Sequence, residues 1–475
     1  RYGFEPANDE FFHAVPADAV RPNLSPLMRR AFCSHGSGIR HQISTCGLWL
    51  AGKEGEPAGE KKADLFPEEL IGQFIKDTVM HEVGHTLGLR HNFKASAYRT
   101  SAEIFAENSP GDLAASVMDY LPIAIAPEGK PQGNYAMTTL GPYDLWAIEY
   151  GYTTEEKDLK KIVSRVAEKG LDYATDEDTW SDDPLVDTWD LGADPLQYAR
   201  DRVALMKRLR KDLEARAVEK GESFNRLRRA MDMQFYEGQG AGTIAAKFIG
   251  GEYLHRDHRG DPNARPPMVP VSAAKQREAL RFVCDEFLSG KYFGFEAEQL
   301  QKLAPDFWVD DFFVLFFGGH NYPYLDNVLW VQSSLVYGLT SPDRLNRVVD
   351  ARHKMKEGSD VLTAPEIFDA VQGTIFKDLA TLSKRKGTNQ APALSDMERN
   401  LQREYVSHLI WILLEGEGWY PATVQTLARH YVKQLGDDIG LVLQGQSSLD
   451  TLTRAHLDEC HAKLSRALEA SYTLR

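Results

Sequence analysis

Between Met80 and Phe93 the chain reads M-H-E-V-G-H-T-L-G-L-R-H-N-F, and three of its histidines stand at offsets that suit a single metal ion. His81 and His85 are one helical turn apart, so both imidazoles leave the same face. Glu82 lies about one residue's rotation away, where a carboxylate reaches metal-bound water without being a ligand. Gly88 can take the left-handed conformation that ends a helix, and the reversed chain would bring back His91 as a third nitrogen. Three neutral imidazoles leave a tetrahedral zinc with one open position, which is the arrangement of a catalytic rather than a structural site. A bare H-E-x-x-H also occurs on surface helices. Gly88 and His91 at their fixed offsets are what set this stretch apart.

A helix must hold the first two ligands. Phe74, Thr78, His81 and His85 share one face at helical spacing, and Ile71, Ile75, Val79 and Val83 are expected to pack on adjoining faces. Pro67-Glu68-Glu69 suits its first turn, with acids at the positive end of the dipole. A rival third ligand is Glu103, eighteen residues after His85, the distance at which other zinc-protease clans place a glutamate. With His91 at its offset, Glu103 is set aside.

The motif His81-Glu82-x-x-His85-x-x-Gly88-x-x-His91 resembles the zinc signature of the metzincins, and Ser116-Val117-Met118-Asp119-Tyr120 resembles their Met-turn. The resemblance implies that Met118 forms an apolar floor under the ligands and that Tyr120 binds zinc or stabilises the transition state. Gly141 to Ile148 is similar to the helix that closes many metzincin domains. The longer wording is similar to a bacterial group of large Met-zincin proteins. This implies an α+β zincin-like catalytic domain, a peptide or protein substrate, one catalytic Zn2+ and an extracytoplasmic location, periplasmic or secreted. The Pro- and Gly-rich stretch from Pro122 to Tyr135 would wall the specificity pocket. The sheet usually found upstream of the zinc helix is not evident in the first seventy residues, so the catalytic domain is expected to be truncated there.

The chemistry implied is hydrolysis of a peptide bond. Zinc would bring the pKa of its water to about 7, with Glu82 as general base and then as proton donor to the leaving amine. The second reading is a zinc-containing binding or assembly module that does not cut.

Composition sets outer bounds. The 475 residues carry a net charge of -14, which argues against nucleic acid or anionic lipid as the main partner. No apolar run approaches the ~20 residues of a membrane span; Phe312 to Phe317 and His408 to Leu414 read as core. The expected division is a catalytic domain over 1–152, a largely helical extension packing on it over 153–270, and an α-helical C-terminal domain over 271–475. Within the first region, Cys33 and Cys46 suit a disulfide, and a structural zinc shared with His35 and His41 matches no common spacing.

Past Tyr152, the acids Asp176, Glu177, Asp178, Asp182, Asp183, Asp187, Asp190 and Asp194 crowd one short span. Hard carboxylates can hold calcium, yet EF-hand spacing and its glycine are missing, so a solvated acidic loop is expected. Arg202, Met206, Leu209 and Leu213 recur along one helix. Gly238-x-Gly240-x-Gly242 reads as a flexible turn and His255-Arg256-Asp257-His258 as a polar loop. Arg265 to Pro270 reads as a domain edge, followed by amphipathic helices without a fixed repeat.

Overall fold

A computed structural model describes residues 35–51, 66–305, 321–385, 387–445 and 449–470. Cys33, Lys53 to Lys62 and Phe312 to Phe317 lie outside them, so the expected disulfide, loop and core run belong to undescribed positions. The described chain is mostly helical. Its one sheet is the antiparallel pair β1 (Glu252–Leu254) and β2 (Met268–Pro270), in which Tyr253 faces Val269. No helix among the described residues is long and apolar enough to cross a membrane.

Helix α1 (His35–Leu50) precedes α2 (Glu68–Thr86), the helix that carries the first two histidines. Pro67 stands at the N-cap of α2, and Glu68 and Glu69 occupy its first turn, where the helix dipole favours acids. Gly88, with φ of +89°, reverses the chain, and Leu89 N–H donates back to Gly84 O. The packed side of α2 holds Leu70, Asp77, His81 and Gly84. Contrary to expectation, Ile71, Ile75, Val79 and Val83 are not packed: they form a stripe with 46–57% of each residue exposed. Their four-residue spacing keeps them together on one face, while the segments after the helix gather on the side of Gly84.

Helix α3 (Pro142–Tyr152) follows, and then α4 (Pro195–Arg210), which buries Arg202, Met206 and Leu209 as the periodicity requires. Helix α5 (Asn225–Lys247) packs against α4, against α6 (Ala273–Val283) and against α7 (Tyr324–Leu339). The three glycines read as a flexible turn lie instead inside α5. A Cβ on Gly238 would collide with the Tyr292 ring, and one on Gly242 with Leu335, so these glycines let neighbours approach closely. Beyond α8 (Pro342–Lys354) and α9 (Ala364–Ile375), the helices α10 (Asp396–Glu415), α11 (Ala422–Gly445) and α12 (Thr451–Glu469) pack on one another. Ser395 and Glu398 form a capping box at the start of α10. One buried apolar core runs from Leu48 through α4 to α12, and a smaller one gathers around Met118 and Met137.

Candidate metal centre

The ligand nitrogens of His81, His85 and His91 all lie within 4.8 Å of one another. Each ring is aimed by a hydrogen bond at its other nitrogen. His81 Nδ1 donates to Val117 O at 2.7 Å, and His85 Nδ1 to Leu89 O at 3.1 Å. His91 Nδ1 donates to Asp176 Oδ1 at 2.8 Å. Carbonyl and carboxylate acceptors at Nδ1 fix the tautomer that presents a lone pair at Nε2. His85 Nε2 is buried and has no partner among the described residues, as a nitrogen reserved for a metal would be. The three side chains therefore fit one zinc ion. Glu82 is exposed on α2 between the first two ligands.

The segment 116–120 lies against α2 because Gly84 has no side chain; a Cβ there would collide with Met118 Sδ. Met118 is fully buried. Asp144, in the first turn of α3, accepts from Ser116 Oγ at 2.6 Å, from Val117 N–H at 3.0 Å and from Gly141 N–H at 2.8 Å. One carboxylate thus pins the peptide whose carbonyl aims His81. Burial raises the pKa of Asp144 against these bonds. Asp77, one turn before His81, is pushed up to about 8 by burial and then by Asp144.

Tyr120 is buried beside the ligands, and its hydroxyl lies 3.1 Å from His91 Nε2. Phe93 and Trp189 pack on its ring, at centroid distances of 4.9 and 5.5 Å. Trp189 adopts a φ of +65°, rare for a bulky residue. Its N–H donates to Tyr120 O at 2.7 Å, and its carbonyl accepts from Tyr198 Oη at 2.9 Å.

The acidic stretch is not the solvated loop expected from its composition. Asp183 and Asp190 are fully buried. Asp183 pairs with Lys94 at 2.6 Å, Asp182 with Arg347 at 2.7 Å and Asp187 with Lys247 at 3.1 Å. Asp178 meets Arg256, and Glu177 meets Arg90, the residue before the third ligand. Burial would lift the Asp176 carboxyl, but its hydrogen bonds to His91 and Thr175 hold it below the usual range. Nothing local marked Asp176 for this role, since it sits 85 positions from its partner.

Other candidates stand elsewhere. Glu103 caps its own short helix, closing a box with Thr100 and meeting Arg99. His41 bonds to Glu237 at 2.8 Å. Asp257, in the His255 to His258 run, pairs with Arg265. The residues from Pro122 to Glu128 line a cavity of about 560 Å³ together with Thr100, Leu191 and Tyr198; none of the three histidines reaches it.

Three histidines brought together on a helix and its return loop, with Met118 packed against Gly84 of that helix, make a cluster that could hold one metal ion. The chain belongs to the Met-zincin family, whose pattern matches residues 63–382. The match runs well past Pro270 into the helices that follow. No curated protein and no solved structure matches the chain. Family and histidine cluster together fit a zinc metalloprotease.

Proposed function

We propose that this protein is a zinc-dependent endopeptidase acting on peptide or protein substrates. The observation that carries the reading is the convergence of three histidines, each with Nδ1 already engaged, on one point. His81, His85 and His91 would hold the single zinc ion, with their rings oriented by Val117 O, Leu89 O and Asp176. Zinc, when bound, acts as a Lewis acid and makes water a nucleophile near pH 7. Glu82, exposed beside the ligands, would serve as general base towards an attacking water and as proton donor to the leaving amine. The Tyr120 hydroxyl, held at the rim of the ligand set by Phe93 and Trp189, donates to the scissile carbonyl oxygen as negative charge develops on it. Met118 is the apolar floor, and Gly88 makes the turn that returns His91.

The working division remains 1–152 for catalysis, 153–270 for the extension and 271–475 for the helical domain. An extracytoplasmic location, periplasmic or secreted, accords with the family resemblance. The apolar stripe on α2 favours a second reading, a zinc-holding module that binds a partner through that face and does not cut.

The two readings separate in one experiment. Zinc-loaded protein and Glu82→Gln are compared for metal content and for cleavage of a mixed peptide library. Equal zinc, with turnover reduced about 10²- to 10⁴-fold in the variant, is the expected result. Zinc bound without cleavage by the wild type would favour the binding module.

A further inference from the structure

The segment 122–128 is tied to α2 on one side and lines the cavity of about 560 Å³ on the other. Ala124 N–H donates to Tyr135 O at 2.8 Å, and Tyr135 N–H donates in turn to Gln73 Oε1 of α2 at 2.7 Å. The cavity takes no residue from α2. Its opposite wall is α4, which presents Gln197, Asp201, Ala204 and Arg208. Their helical spacing keeps these four on one face, roughly 16 Å long. That length matches an extended chain of about five residues. Phe105, Ile123, Leu191 and Leu205 give the groove a buried apolar lining.

The charged side chains of the lining are Glu128, Asp194, Asp201, Arg202 and Arg208, and all but one are matched. Arg202 is turned to Glu237 at 2.7 Å, Asp194 meets Lys275 at 2.7 Å, and Arg208 meets Glu128 at 3.8 Å. Asp201 has no ionic partner among the described residues. Its carboxylate accepts from Gln197 Nε2 at 2.8 Å, one turn earlier on the same face. Burial raises its pKa above the ordinary carboxylate value, against that hydrogen bond. A carboxylate without a counter-ion, set beside an apolar lining, suits a cation carried on an apolar stem.

We propose that this groove binds an extended peptide segment through a lysine or arginine side chain that pairs with Asp201. The aliphatic stem covers the apolar lining while the charged end meets the carboxylate. A cation at Asp201 displaces no ionic partner, whereas an anion at Arg208 would have to displace Glu128. A glutamate in the same place would bring like charge to Asp201, so the groove discriminates by repulsion as well as by attraction. Tyr198, whose hydroxyl holds the Trp189 carbonyl, lines the same cavity, so a bound segment lies beside the wall that packs on Tyr120. The site stands on its own lining, not on the peptidase reading, and its test measures binding by metal-free protein.

Full-length metal-free protein is titrated into fluorescein-labelled pentapeptides, four alanines around a central lysine, norleucine or glutamate, and anisotropy is read. The lysine peptide should bind tightest, with norleucine about tenfold weaker and glutamate weaker still. Asp201→Asn should cut affinity for the lysine peptide about tenfold and leave the norleucine peptide unchanged. Asp201→Glu keeps the charge and should keep the preference for lysine. Ala204→Trp puts a bulky ring into the groove and should abolish binding of all three, which keeps the test open if Asp201→Asn does not fold. Asp212→Asn, beyond the end of α4 and paired with Arg216, should bind as the wild type does. Equal affinity for lysine and norleucine, a preference for glutamate, or lysine binding indifferent to Asp201→Asn and Ala204→Trp would overturn the site. Folded protein that binds none of the three peptides would overturn it too. Lysine-selective binding by a protein that cleaves nothing when zinc-loaded would support the site while overturning the peptidase reading.

Discussion

The stretch from His81 to His91 and the stretch from Asp176 to Asp194 come together at the histidine cluster by different means. In the first, ligand positions follow from spacing: a helical turn sets His81 against His85, and a left-handed glycine returns His91. In the second, spacing carries no message. Its acids act through partners up to some 165 positions away, such as Arg347 for Asp182, and their burial depends on segments arriving from elsewhere. A local motif encodes the metal's grip, while distant pairing encodes how firmly that grip is aimed.

The largest effect should come from the first region. His91→Ala is expected to abolish stoichiometric zinc binding, read by metal analysis after dialysis. Retention of zinc would return attention to Glu103, despite its place in a cap. Next comes the second region's anchor. Lys94→Ala strands Asp183, a fully buried carboxylate, and should cost about 3–5 kcal/mol in denaturant unfolding. A loss below about 1 kcal/mol would mean that Asp183 is satisfied some other way.

A control outside both regions comes from His408 and His456, which burial pushes down to about 4. Both are neutral when folded and take up a proton on unfolding. Their stabilisation is full above pH 6.5 and is lost as pH falls from there towards 4, on the order of 2–3 kcal/mol for each. Unfolding free energies measured between pH 7 and 4 should fall accordingly, and His408→Gln should flatten part of the slope. The smallest effect sharpens the comparison most. Asp176→Asn keeps a hydrogen-bond acceptor for His91 but removes its charge, and zinc affinity should drop about 10- to 100-fold. No change in a competition titration with a chelator would reduce Asp176 to a surface partner of Arg90.

Much of the three-histidine cluster is legible in the sequence. His81, His85, Gly88 and His91 stand where helical geometry puts them, and Met118 and Tyr120 come to the same place through their position after the motif. Gly84 was also within the motif, yet its importance lies in what it admits: a methionine sulfur that only the packed turn supplies. The apolar stripe on α2 shows the limit from the other side. Periodicity correctly puts Ile71, Ile75, Val79 and Val83 on the helix, but amphipathic pattern alone does not say which faces find a partner. Likewise, Gly238 and Gly242 look like turn residues until Tyr292 and Leu335 are seen against them.

The three-histidine cluster, the helix that carries two of its members and the turn that returns the third are set by the sequence alone, because these depend on backbone geometry within a dozen residues. Tertiary structure alone decided that Asp176 aims His91, that Asp144 clamps the segment aiming His81, and that Asp119 accepts from Ser96 N–H. A carboxylate looks the same in any acidic run. Its pKa, its burial and its partner are properties of the place to which the folded chain brings it.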